Sequence, residues 1–218
     1  MTITAILFDV GGVLITPLDP EALRRRREAL AASLGFDSAE AMWRRFFEGD
    51  EWAAAKTGRM THEQMWDQLL RPYGYETREA QAAIVEELYR GEGVDPGMAQ
   101  LVAALHGDYR LAILSNWDDR LELLLEHYEL SRYFDVIFNS HSIGMAKPDE
   151  ETYRYVLEQL ELSPSELLFI DDKERNTRVA EKLGISSIVF RDVAGLVAEL
   201  IERGILPQSY AARSSRST

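Results

Sequence analysis

The sequence predicts an α/β fold: a parallel sheet flanked by helices and interrupted by an inserted helical module. Three observations predict it. Short continuous apolar runs end in polar residues, helical periodicities lie between them, and one long stretch carries helical patterns with no convincing strand. Continuous apolar runs read as strands buried on both faces, as in parallel sheets. Strands alternating with helices imply right-handed crossovers.

The first run is Ala5-Ile6-Leu7-Phe8, ending at Asp9. Residues 17–92 follow, with helical patterns and three of the four tryptophans, Trp43, Trp52 and Trp66. Asp19-Pro20 and the Thr61/Gln64 pair offer helix starts there. The second run is Leu111-Ala112-Ile113-Leu114, ending at Ser115-Asn116. Leu121, Leu124, Leu125 and Tyr128 then fall on one helical face. Val136-Ile137-Phe138 is a further strand candidate, followed by a helix through Tyr153, Val156, Leu157 and Leu160. Ser163-Pro164-Ser165-Glu166 makes a capped turn into the third run, Leu167-Leu168-Phe169-Ile170, which ends at Asp171-Asp172. A helix through Asn176, Val179, Ala180 and Leu183 leads to the last strand candidate, Ser187 to Phe190. Residues 1–16 and 93–205 are therefore assigned to the α/β core and 17–92 to a helical cap. The Ser- and Arg-rich residues 206–218 are assigned to a frayed tail.

Composition narrows the function. The 218 residues are 46% hydrophobic and 28% charged, which excludes a collagen-like or largely disordered chain. With 37 acidic and 24 basic residues, the net charge of −13 argues against nucleic-acid binding, which needs a basic footprint. A small anionic substrate stays compatible, because a metal ion and one lysine reverse the field inside a pocket. No cysteine is present, so thiolate chemistry is excluded. The apolar start lacks a preceding basic residue and is cut by Asp9, so no signal peptide is expected. No apolar run has the length of a membrane helix. The expectation is a cytoplasmic protein with no membrane partner.

In parallel sheets, ligands bind at the carboxyl ends of the strands. The sequence puts Asp9, Ser115, Asn116, Asp171 and Asp172 there. Asp9 is followed by Gly11 and Gly12, which permit a sharp turn and close approach to a ligand; capping a turn is the plainer role. Asp171 and Asp172 repel each other unless a cation is near. Asp172 alone could cap the following helix. Three carboxylates from two strand ends suit a hard divalent ion such as Mg²⁺. Ser115 and Asn116 could bind anionic oxygens, or simply cap a helix. Lys147, ahead of Pro148, reads by default as a surface lysine.

The order of these elements is more telling than any one of them: Asp, then Ser-Asn, then Lys-Pro, then Asp-Asp with Asn176 four residues on. In this order the chain resembles the haloacid dehalogenase-like hydrolase superfamily. The similarity is greatest to the branch with a helical cap after the first strand, which includes sugar-phosphate phosphatases and the phosphatase domain of soluble epoxide hydrolases. The resemblance covers nearly the whole chain. It implies a Rossmann-like core and a Mg²⁺-dependent phosphatase acting on a small phosphorylated metabolite. It implies Asp9 as nucleophile, Ser115 and Asn116 as phosphoryl-binding residues, and Lys147 as the lysine steadying both. It also implies Mg²⁺ ligation by Asp9, Asp172 and the Gly11 carbonyl, with Asp171 in support.

One position departs from the pattern. Most phosphatases of the superfamily carry an aspartate two residues after the nucleophile, as general acid and base; here that residue is Gly11. Some members of the capped branch resemble this chain in having glycine there. A weakly basic leaving group, such as the anomeric oxygen of a sugar 1-phosphate, suits such a site. Two rivals stand beside this reading. A 2-haloacid dehalogenase needs no metal, and its pattern expects tyrosine at position 11. A silent phosphometabolite-binding domain has no physical need for the cluster of charge.

Of the remaining features, Arg24 to Arg27 read as a solvated helix face. His62, His106, His127 and His141 lack metal-ligand spacing. The aromatics from Trp43 to Trp52 read as cap core, with one or two free to face a substrate, and Trp117 could line the entrance.

Overall fold

The computed structural model describes residues 2–210. In chain order the elements begin with β1 (Ala5–Phe8) and β2 (Thr16–Pro17). Five helices follow: α1 (Pro20–Ser33), α2 (Ala39–Phe47), α3 (Asp50–Ala55), α4 (His62–Leu70) and α5 (Arg78–Tyr89). Then come β3 (Glu92–Gly93), α6 (Pro96–Leu105), β4 (Arg110–Ser115), α7 (Leu121–His127), β5 (Val136–Asn139) and α8 (Ser140–Ile143). The chain continues through α9 (Glu150–Leu160), β6 (Leu167–Asp171), α10 (Glu174–Lys182), β7 (Ser186–Val189) and α11 (Val193–Glu202).

Five strands form one parallel sheet in the order β5-β4-β1-β6-β7. The central β1 is buried along its whole length, as its unbroken apolar run requires. Successive side chains point to opposite faces, and the core divides accordingly. Ile6, Phe8, Leu111, Ile113, Leu168 and Ile170 pack on one face with Leu101, Leu121 and Leu196. Ala5, Leu7, Ala112, Leu114, Leu167 and Phe169 pack on the other with Tyr153, Val156 and Ala180. A third apolar cluster lies within α1 to α5 and includes Leu30, Met42, Phe46, Met65, Trp66 and Leu88.

Register positions the site. Phe8 pairs with Ile113 on one side and Ile170 on the other. The next residues, Asp9 and Asp171, therefore leave the sheet at the same height, with Ser115 beside them.

Two features differ from the sequence expectation. The stretch from 17 to 92 carries no strand periodicity, yet Thr16–Pro17 pairs antiparallel with Glu92–Gly93. Two residues are too short to show alternation, and the partner lies far along the chain. The frayed tail expected from 206 also differs within the described residues: Leu206 is 5% exposed and packs into the core, as Tyr210 does in part. Residues 211–218 lie outside the described residues. The expected caps form: Asp19 accepts from Ala22 N at 2.9 Å, and Thr61 and Gln64 make a capping box. Among the described residues, no helix is long and apolar enough to cross a membrane.

Leu168 is fully buried in β6, beside β1. Leu168→Ala should lower the unfolding free energy by about 2–5 kcal/mol, measured by urea denaturation.

Candidate active site

Four of the five parallel strands deliver polar residues to one end of the sheet, and that end faces α1 to α5 across a cavity of about 430 Å³. The floor is a buried charge cluster. Lys147 Nζ lies 2.9 Å from Asp9 Oδ2 and 2.6 Å from Asp171 Oδ2. Ser115 Oγ donates to Asp9 Oδ1 at 3.1 Å, and the Val10 amide donates to the same oxygen at 2.7 Å. Lys147 is 3% exposed, so it is not the surface lysine of the default reading.

Asn116 has a different task from the one expected of its side chain. Its amide donates to the Lys147 carbonyl at 2.8 Å, and its oxygen accepts from the Lys147 amide at 2.9 Å. This reciprocal pair holds the lysine backbone against the end of β4. Asp171 is fully buried and saturated. It accepts from Lys147, from the Lys173 amide at 2.8 Å and from Asn176 Nδ2 at 2.9 Å. Tyr153 in turn donates to the Asn176 carbonyl at 3.0 Å.

Asp172 stands apart. The residue at the start of α10 is Lys173, and Asp172 makes no capping bond to the helix. Asp172 Oδ1 is buried without a hydrogen-bond partner; the nearest ammonium, Lys173 Nζ, is 3.9 Å away. An orphaned carboxylate oxygen of this kind carries a substantial desolvation cost. One oxygen each from Asp9, Asp171 and Asp172 lies within 4.8 Å of the others.

The electrostatics describe a cluster short of positive charge: three carboxylates share one buried ammonium. Burial raises the Asp9 carboxyl to about 6; Lys147 opposes this and Asp171 adds to it. Burial also raises Asp172, partly offset by Lys173. Asp171 differs: despite burial, Lys147 and its hydrogen bonds hold it below the usual carboxylate range. Burial works against the charge on Lys147, but the two carboxylates hold its pKa above the ordinary value. The single ammonium is shared by Asp9 and Asp171. Asp9 and Asp172, with an all-oxygen donor set, fit a hard divalent cation.

The glycines explain how the acids come so close. Gly12 has φ +83°, and a Cβ there would lie 2.7 Å from Asp172 Oδ2. At Gly11 a Cβ would meet the Trp117 ring at 3.3 Å, so Trp117 borders the space a side chain would use.

The cavity wall is aromatic. Trp43, Phe47, Trp52, Tyr89 and Trp117 line it. The Trp43 and Phe47 rings lie tilted by 38° with centroids 4.3 Å apart, and Trp52 meets Phe47 edge-on. Arg27, Lys56, Glu92 and Asp118, none of which carries a motif in the sequence, line the cavity as well. Arg27 departs from its solvated neighbours: it pairs with Glu92 at 2.6 Å and lies over the Trp43 ring at 4.4 Å. Asp118 follows Ser115 by three residues, so its place beside the strand end is the signal that marks it. It holds His62 Nδ1 at 2.7 Å, joining α4 to the loop after β4. His141 Nδ1 likewise meets the Ala55 carbonyl at 2.7 Å.

Gly12→Ala combines a left-handed backbone with a collision against Asp172. It should cost at least about 1–2 kcal/mol of stability, measured by thermal denaturation in metal-free buffer.

The haloacid dehalogenase-like hydrolase family matches residues 3–184. The chain is 30% identical over 216 residues to bifunctional epoxide hydrolase 2 of Rattus norvegicus, covering 92% of this chain but only 38% of that relative's length. It is 29% identical over 204 residues to the sesquiterpene phosphatase astK of Aspergillus oryzae, covering 91% of this chain and 95% of that one. Among solved structures, a HAD family enzyme of Bacteroides thetaiotaomicron in complex with magnesium and inorganic phosphate superimposes with a TM-score of 0.70 at 25% identity, covering 87% of this chain and 94% of that one. With the parallel sheet, the strand-end acids and a match across most of its length, the chain belongs to the haloacid dehalogenase-like hydrolase family.

Proposed function

We propose that the protein is a Mg²⁺-dependent phosphatase of small phosphorylated metabolites, working through an aspartyl-phosphate on Asp9. The observation that carries this reading is the floor of the cavity. A carboxylate is held by Lys147 and Ser115 within reach of an orphaned second carboxylate oxygen. The solved relative bound to magnesium and phosphate supports the same reading.

Asp9 attacks phosphorus in line, and the bond to the leaving oxygen breaks as the Asp9 oxygen–phosphorus bond forms. Lys147 stays charged and offsets negative charge on the equatorial oxygens. Ser115 orients Asp9 and presents its hydroxyl to the phosphoryl group. Asn116 acts through its grip on the Lys147 backbone, leaving its own N–H as the group that meets an anionic oxygen. Asp171 keeps the ammonium in place. Asp9, Asp172 and the Gly11 carbonyl would hold Mg²⁺, which supplies positive charge to the phosphoryl oxygens and allows a phosphate dianion to approach the carboxylates. Water then attacks phosphorus, cleaves the acyl phosphate and regenerates Asp9.

Gly11 offers no acid to the leaving group, so esters with a weakly basic leaving oxygen are favoured. Sugar 1-phosphates meet that requirement. The aromatic wall suits a ring or an apolar body; the Aspergillus oryzae relative is named as a sesquiterpene phosphatase. We assign residues 17–92 as the cap that closes this wall over the floor, with 1–16 and 93–205 as the core.

Hydrolysis of p-nitrophenyl phosphate and of a phosphometabolite panel tests the reading. Turnover should vanish with excess chelator, and Asp9→Asn should lower kcat by about three orders of magnitude or more. Silence across the panel would overturn it. Faster turnover of sugar 6-phosphates than of sugar 1-phosphates would overturn the leaving-group preference.

The state of Asp9 also sets a pH dependence. A proton must leave this carboxyl before a cation binds, and its pKa is about 6. Mg²⁺ affinity should be near its plateau above that pH and should weaken about tenfold per unit below it. Calorimetric titrations on both sides of pH 6 check this; a flat profile would remove Asp9 from the metal site.

A further inference from the structure

The cavity has a second charged feature that phosphoryl transfer does not use. Lys56, Lys173 and Arg175 all line it. Lys56 follows α3, on the side opposite the sheet; Lys173 and Arg175 flank the start of α10, on the sheet side. The other cavity cations are matched to carboxylates, Arg27 to Glu92 and Lys147 to Asp9 and Asp171. Among the described residues, neither Lys56 nor Arg175 has a carboxylate within 4.0 Å, and Lys173 has one only at 3.9 Å. In a chain with 37 acidic and 24 basic residues, partners are plentiful. Exposed arginines along the helices take them, as at Arg44–Glu40, Arg154–Glu150 and Arg178–Glu174.

Lys56 is also half-buried. Burial lowers its pKa, and the like charges of Arg175 and Lys173 lower it further, against the opposing pull of Asp149. Three cations with only Asp172 and Asp149 to offset them resist their own proximity, and a bound anion offsets both that repulsion and the desolvation of Lys56. The acidic floor takes the transferring phosphoryl group. The cationic rim is separate from it in residue and in exposure: Lys147 is buried, whereas Lys173 and Arg175 are exposed.

We propose that Lys56 and Arg175, with Lys173, form a second anion subsite, so that the preferred substrate carries a distal carboxylate or second phosphate besides the phosphoryl group cleaved at Asp9. The subsite selects the substrate and takes no part in bond breaking. A ligand filling it would touch both sides of the cavity at once, joining α3 to α10. The proposal rests on the phosphatase reading for the chemistry at the floor, but binding can be measured without turnover.

The probes are non-hydrolysable arylphosphonates carrying a distal carboxylate on spacers of increasing length, each matched to its carboxamide. Tryptophan fluorescence titration of the full chain with Mg²⁺ gives Kd, since Trp43, Trp52 and Trp117 line the cavity. At the best spacer, the carboxylate should bind about tenfold more tightly than the carboxamide. In Lys56→Met and in Arg175→Met that ratio should fall toward one. A ratio near one for the unmodified protein at every spacer would overturn the subsite, as would an unchanged ratio in the variants or no binding by any member. Equal weakening of both ligands would also overturn it, because general attraction of anions acts on both alike. Hydrolysis of the corresponding esters reports on the phosphatase reading separately: loss of turnover with the Kd ratio intact would sink that reading and leave the subsite standing.

Discussion

The buried ammonium of Lys147 is the interaction on which the site depends. It touches Asp9 and Asp171 with almost no exposure to solvent. Removing one partner from such a group leaves an uncompensated buried charge, which costs several kcal/mol. Much of the surrounding architecture serves to keep it in register. Asn116 clamps its backbone to the end of β4, Asn176 and the Lys173 amide fix Asp171 at the end of β6, and Tyr153 on α9 supports Asn176. Three adjacent strands and two helices thus converge on one nitrogen atom.

This explains why the acids tolerate one another. A lone buried lysine between two carboxylates leaves a third, Asp172, only partly offset by Lys173, and its orphaned oxygen marks the deficit. Gly12 permits the deficit to form, because any side chain there would push Asp172 away. The arrangement stores electrostatic strain that a cation discharges. Stability is given up locally for readiness to bind, as is common at functional sites.

The sheet was legible in the sequence because strand segments buried on both faces must be continuously apolar, as the four-residue runs within β1, β4 and β6 are. Their polar terminal residues were legible for the same reason: a run that ends in Asp or Ser ends where burial changes character. The partner of the Asn116 side chain was not legible, because nothing local reveals that an amide is satisfied by a backbone 31 residues away. Arg27 was hidden within a run of four arginines, since helical periodicity separates faces but does not say which face meets another element. Lys56 had no signal beyond its charge; its meaning comes from Lys173 and Arg175, which only the closed fold brings near. The pairing of Thr16–Pro17 with Glu92–Gly93 was invisible because a two-residue strand has no period.

That small pairing has a wider consequence. The chain leaves the sheet side at Pro17 and returns at Glu92, hydrogen-bonded to its own point of departure. Everything between is a closed excursion whose ends are already fastened together. Loop-closure entropy rises only slowly with length, by roughly 0.6 kcal/mol per doubling. The excursion can therefore be lengthened, trimmed or replaced during evolution with little penalty to the strands that hold Asp9, Ser115 and Asp171. A lineage can exchange the wall of the cavity while inheriting its floor intact.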